Sequence, residues 1–166
     1  DTSKEKTKSQ FDLFSIYDKF EPQDYEKLSK YCKKIKIDFL STPFDIKSVE
    51  ILRPLVPAFK ISSSDITNYP LLRKISQTKK PVLLSTGASN IKEIEYAINI
   101  LKTGTKKIVI MHCILNYPTK DKDANLNMIL DLKKKFPNFV IGYSDHTLPD
   151  KNMLNVTTAF TLGAKV

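Results

Sequence analysis

Long apolar runs, cysteine and arginine are all scarce in this chain of 166 residues. No stretch approaches the roughly 18 consecutive apolar residues that a membrane helix needs. The first ten residues, DTSKEKTKSQ, are polar and carry acids, unlike a secretory leader. Cys32 and Cys113 are the only cysteines, far apart and without metal-ligand spacing. They read as reduced thiols of a cytoplasmic protein. Of the 27 basic residues only Arg53 and Arg73 are arginine, although the formal net charge is +9. Base and phosphate recognition in nucleic acids favours the arginine fork. The lysines are spread over helical segments instead, so the reading is of solvated faces and no nucleic-acid partner. Such a field would still favour a small anionic substrate.

What is present is ordinary for one globular domain, 41% hydrophobic and 27% charged. Strand and helix patterns alternate with short connections, which predicts βα units and a parallel sheet. Strands are expected near Ile37–Ser41, Ala58–Ser62, Val82–Ser85, Lys107–His112 and Asn138–Gly142, with another beginning at Ala164-Lys165-Val166. Helices are expected at Glu21–Ile35, Asp45–Leu52, Asn68–Thr78, from Asn90 to a close at Gly104, Asn125–Lys135 and Lys151–Leu162. Pro22 suits the first turn of its helix. Tyr25, Leu28 and Cys32 then form one apolar face. Asn90 and Glu93 have capping-box spacing. Residues 1–20 read as a polar lead-in. Strand-then-helix repetition without a reversal signal suits a (β/α)8 barrel, whose functional groups gather at strand C-termini. A whole barrel takes about 250 residues, so the sheet is either part of a barrel or open and doubly wound.

Each predicted strand ends in polar, small or ionisable groups. Ser144, Asp145 and His146 would emerge together after Asn138–Gly142, a set suited to metal or phosphate chemistry. Lys60 stands inside an apolar strand, where a lysine usually reaches a ligand or a carboxylate. Ser62, Ser63, Ser64 and Asp65 follow it, able to hold an anion or to cap a helix. Ser85-Thr86-Gly87 precedes a capped helix and could cradle phosphate. The only two histidines, His112 and His146, both fall at strand ends. A hard, oxygen-preferring divalent ion bound by imidazole would be a natural partner.

These segments together resemble the sialic acid synthase family, whose members make nonulosonic acids such as N-acetylneuraminate, legionaminate and pseudaminate. The matching stretches are Phe39–Asp45 (FLSTPFD), Pro57–Asp65 (PAFKISSSD), Asn68–Leu72 (NYPLL), Lys80–Gly87 (KPVLLSTG), His112-Cys113 with Tyr117–Thr119, and Gly142–Thr147 (GYSDHT). The resemblance implies a (β/α)8 barrel that condenses phosphoenolpyruvate with an N-acetylated mannosamine-type sugar. A divalent ion, manganese or alternatively magnesium, would polarise the sugar aldehyde. C3 of phosphoenolpyruvate would attack that aldehyde, water would add to the resulting cation, and phosphate would leave by C–O cleavage.

Carried over by position, Lys60, Ser63, Ser85 and Ser144 resemble phosphoenolpyruvate contacts, and the Gly87 turn would line the same pocket. Tyr117 is similar to a sugar-side contact, and His146 matches a metal ligand. Lys60, Asp145 and His146 form the implied catalytic set. Where the family often carries Thr-Ser or Thr-Asn, this chain has Ile114-Leu115, so Asn116 would have to supply the polar contact. The resemblance further implies that residues 1–166 hold about strands three to seven and the start of eight. The family's opening strands, second metal histidine and C-terminal antifreeze-like domain are not among them. The complete protein would be a homodimer, and the 166-residue chain alone would be inactive. The alternatives are a non-catalytic binding module or another phosphoenolpyruvate-using, aldolase-like barrel.

Overall fold

Four strands pair in parallel and in sequence order, β1-β2-β3-β4, in a computed structural model that describes residues 9–17 and 19–166. They are β1 (Phe59–Ile61), β2 (Val82–Ser85), β3 (Ile108–His112) and β4 (Val140–Tyr143). Neighbouring strands are consecutive in sequence and the order never reverses. That winding is the barrel type, because a doubly wound sheet needs a switch point. The chain divides into two units, the first ending at Phe39 and the second running Leu40–Val166.

The first unit contains α1 (Gln10–Tyr17) and α2 (Pro22–Lys34). The sequence reading placed a polar lead-in through residue 20, yet α1 forms there, with Ser9 Oγ accepting the Asp12 N–H at 3.1 Å. In α2, Pro22 occupies the first turn as expected, and Asp24 accepts the Glu21 N–H at 3.1 Å. Its Tyr25–Leu28–Cys32 face is not buried, and Leu28 is exposed.

The predicted strand at Ile37–Ser41 is not formed. No backbone bond joins it to β1 among the described residues, and extended chain without a paired neighbour is not a strand. The predicted strand at Ala164–Val166 shows the beginnings of pairing. Lys165 N–H donates to Ile141 O at 2.8 Å, and Tyr143 N–H donates to Val166 O at 2.7 Å. Gly142 lets this segment approach, since a Cβ there would lie 2.8 Å from Val166 O.

Helices α3 (Ile46–Leu52), α4 (Tyr69–Gln77), α5 (Ile91–Leu101), α6 (Met128–Lys135) and α7 (Leu154–Thr161) complete the second unit. Asp45, Asn68 and Asn90 cap α3, α4 and α5 with their side chains, and the Asn90–Glu93 capping box is present. α6 and α7 start three residues later than their patterns suggest. Asn125 and Met153 hold left-handed backbone, with φ of 51° and 49°, and neither can continue a right-handed helix. Gly104 follows α5 as expected, but for a different reason. Its φ is not left-handed; a Cβ there would collide with the backbone oxygen of Ser76 in α4.

Strand alternation sorts the side chains onto two faces. Phe59, Ile61, Val82, Leu84, Ile110 and Ile141 are buried and form the core with apolar residues of the helices, such as Leu72, Ile98 and Leu132. Lys60, Leu83, Val109 and Val140 share one register row on the opposite face and are half-buried to exposed. One row further along, Ser85 pairs with Met111 and Met111 with Gly142. The second face therefore carries Lys60 and Ser85, the polar groups of these rows.

Candidate functional site

At the C-terminal end of β4 the chain turns through Ser144, Asp145 and His146. Ser144 N–H donates to His112 O at 2.8 Å, so the β3–β4 ladder continues and carries Ser144 onto the face of Lys60 and Ser85. Ser85 is 1% exposed, and its hydroxyl is the one buried side-chain oxygen or nitrogen among the described residues without a hydrogen-bond partner. A buried hydroxyl left unpaired is destabilising by about 1–3 kcal/mol, so Ser85 is a candidate contact for a ligand's polar atom. Lys60 is half-buried, and its positive charge is felt at His146.

His146 is held from two sides. Its Nδ1 bonds the Ile114 carbonyl, which only accepts, so Nδ1 carries the proton. Burial lowers the pKa of His146; the Ile114 bond and Asp145 oppose that shift, and Lys60 adds to it. The neutral ring then presents a lone pair at Nε2, where Tyr117 donates its hydroxyl at 2.7 Å. The two rings stack at 3.9 Å between centroids, and Ser144 Oγ lies 3.4 Å from Nε2. Tyr117 itself is 72% exposed, and its bond to Pro118 is cis.

Asp145 plays a different part from His146. Its Oδ1 accepts from Tyr143 Oη at 2.9 Å, Thr147 N–H at 2.9 Å and Thr147 Oγ1 at 2.8 Å. Burial works to raise its pKa, but these bonds outweigh burial and hold the carboxyl below its ordinary value. Burial, aided by the bond to Asp145, pushes the Tyr143 phenol well above its usual range. The geometry makes Asp145 the brace of the turn that presents His146.

The two histidines separate cleanly. His112 points to the helix side, is 4% exposed, and donates Nε2–H to Ala124 O at 2.9 Å. It belongs to the packing beneath α6, stacked 5.8 Å from Tyr143. Ser63 is buried in the turn after β1, while Asn116 is exposed and its backbone oxygen accepts from Thr119 Oγ1. Gly87 packs so closely that a Cβ would lie 2.8 Å from Cys113 Sγ. Gly87 also lines a cavity of about 400 Å³ between the first turns of α5 and α6. That cavity contains neither Lys60, Ser144 nor His146, so the site is placed on the sheet face and not in it.

As a metal site the cluster supplies one ligand and not a full set. His146 has the orientation that a backbone carbonyl gives a ligating imidazole. However, no three His, Cys, Asp or Glu groups converge among the described residues. Sequence reasoning passed over Tyr143, Thr119, Asp121 and Asn155 as site residues. Asn155 alone carried a signal, as a poor helix former placed inside a helix.

A parallel α/β domain wound strand by strand, with its polar groups gathered where the strands end, is the class these observations define. The chain belongs to the NeuB family, whose model matches residues 1–166. It is 48% identical to an uncharacterized protein of Methanocaldococcus jannaschii over 158 residues, 94% of this chain and 45% of that one. It is 45% identical to the N,N'-diacetyllegionaminic acid synthase of Campylobacter jejuni over 127 residues, 74% of this chain and 38% of that one. Among solved structures it matches the N-acetylneuraminic acid synthetase of Leptospira borgpetersenii, crystallised with citrate, at a TM-score of 0.81 and 35% identity. That match covers 88% of this chain and 50% of the other. The chain thus spans half or less of the length of these relatives. Its parallel α/β fold is that of the sialic acid synthase structures, which are of the TIM-barrel type.

Proposed function

We propose that this chain is the central part of a synthase barrel that condenses phosphoenolpyruvate with an N-acetylated, mannosamine-type sugar to give a nonulosonic acid and phosphate. The observation that carries the reading is the unpartnered, buried Ser85 hydroxyl on the same sheet face as Lys60 and Ser144. A cation and two hydroxyls on one face suit the carboxylate and phosphate of phosphoenolpyruvate. Ser63 and Gly87 lie in the turns that follow β1 and β2.

On this reading Lys60 and Ser85 hold the phosphoenolpyruvate, so that its C3 can reach the sugar aldehyde. Tyr117, exposed beside His146, receives the sugar, with Asn116 next to it. Asp145 keeps the His146 turn rigid. A divalent ion, manganese or magnesium, would polarise the aldehyde when bound, with His146 as one ligand and the others supplied from outside the described residues. β1–β4 would be about strands four to seven of that barrel and Ala164–Val166 the start of eight. The remaining strands and a C-terminal antifreeze-like domain would lie elsewhere in a cytoplasmic, homodimeric protein.

The test is phosphate release by the intact protein from phosphoenolpyruvate, N-acetylmannosamine and manganese. Turnover that disappears in His146→Ala, with the circular dichroism spectrum unchanged, is the expected result. Full turnover in that variant would remove His146 from the metal. Binding of phosphoenolpyruvate without any turnover would favour a binding module.

A further inference from the structure

Asn155 lies in the first turn of α7, away from the sheet face, and is 8% exposed. Its amide nitrogen bonds two loops at once, Asp121 Oδ1 at 2.8 Å and Thr147 Oγ1 at 3.2 Å. The Asp121 carboxylate is an acceptor, so the amide must present its nitrogen to it. The same nitrogen can only donate to Thr147 Oγ1. The Asp145 carboxylate also only accepts, so the Thr147 hydroxyl sends its proton to Asp145 Oδ1, 2.8 Å away, and accepts from Asn155. One amide thereby links the Asp121 carboxylate to the Thr147–Asp145 pair.

The two loops it joins carry the site. Asp121 belongs to the β3–α6 connection, which also bears Ile114 and Tyr117. Thr147 follows His146 directly. The connections already touch at the Thr119–Thr147 bridge, where Thr119 N–H donates to His146 O at 2.7 Å. That bridge is isolated, and the bonds of His146 to Ile114 O and Tyr117 Oη are further links between loop segments. Asn155 adds an attachment from a helix, which is a more rigid support than a loop.

We infer that Asn155 is a positioning residue for His146. It ties the β3–α6 and β4–α7 connections by donating to Asp121 and to the Thr147 hydroxyl that Asp145 accepts from, and so holds the turn with Nε2 against Tyr117 and Ser144. This inference rests on the proposed role of His146 in the condensation, and its test separates the two.

In the intact protein, Asn155→Ala, Asp121→Ala and the exchanged pair Asn155→Asp with Asp121→Asn are compared with the wild type. The readouts are steady-state kinetics, the thermal midpoint and the ring-nitrogen NMR shifts of His146. Loss of a group that orients a ligand lowers activity by about 10- to 100-fold. Asn155→Ala and Asp121→Ala should lower kcat by that factor, leave KM for phosphoenolpyruvate within about twofold, and move the His146 shifts. The exchanged pair restores a donor–acceptor contact with its sense reversed and should recover part of both signals. Asp121 is exposed, so its variant remains informative if Asn155→Ala does not fold. Lower thermal midpoints with unchanged kcat and unchanged His146 shifts would overturn the inference. If the wild-type protein does not condense these substrates, the proposed reaction falls and the shifts alone decide the role of Asn155.

Discussion

Single side chains already divide into those that hold the fold and those free to react. His112 and His146 look alike in sequence, each an imidazole after an apolar run, and no spacing rule distinguishes them. Alternation does, once the register is known: His112 falls on the helix side and His146 beyond the strand end. Burial is the main reason that the His112 pKa lies below its ordinary value, with the Ala124 bond opposing and His146 adding. The unfolded chain then binds a proton that the folded one refuses. This contribution is complete above about pH 6.5, and stability falls as the pH drops from there toward the depressed folded value. His112→Gln keeps a donor near Ala124 O without titrating. Its urea midpoint should therefore fall less than that of the wild type between pH 7 and pH 5.5. Lys60 was legible as an anomaly, a charge in an apolar strand, and its removal is measurable. A charged hydrogen bond is worth about 1.5–3 kcal/mol, so under the proposed reaction Lys60→Gln should raise KM for phosphoenolpyruvate about 10- to 100-fold. An unchanged KM would move the anion elsewhere.

Elements were most legible where local chemistry and tertiary contacts agree. β2 matches its expected bounds, and the caps at Asp45, Asn68 and Asn90 were written in side chains that bond their own helix. Agreement failed where the deciding partner is distant or the backbone takes a rare turn. Ile37–Ser41 has the apolar pattern of a strand but no ladder to join. The starts of α6 and α7 are set by left-handed Asn125 and Met153, and Met gives no warning of that conformation. Gly104 shows the same limit, since its position suggested a helix stop and its cause is the approach of α4. Ser76 Oγ bonds Leu101 O at 3.2 Å and Thr103 Oγ1 at 2.9 Å across that contact. Gly104→Ala forces the two helices apart, and overpacking of this kind destabilises by about 1–3 kcal/mol. Chemical denaturation of the variant would show it as a lower midpoint; an unchanged midpoint would mean that α4 yields freely.

At the scale of the molecule, one sheet face is packed by helices and the other is only partly shielded. Val140 is 46% exposed at the start of β4, the last strand of the sheet, and Leu154, Phe160 and Val166 add exposed apolar surface later in the chain. β1 offers an unpaired edge among the described residues, which is a template for pairing with another chain. The 166-residue chain by itself should therefore self-associate. Sedimentation at micromolar concentration should show species larger than the 19.0 kDa monomer. A clean monomer would mean that this face tolerates water. Fold class and the direction of the site were legible in the strand-end residues, whereas the support that Asn155 and Asp121 give depends on contacts 34 residues apart.

The two-faced register also limits how such a chain can change length. Deleting one residue within β3 would send Met111 into the helix layer and His112 toward the face of Lys60 and Ser85, because each step along a strand reverses the facing. Connecting segments can gain or lose single residues, but strands tolerate only even changes. Drift in length should therefore accumulate outside β1–β4 and leave the parity from Lys60 to Ser144 intact.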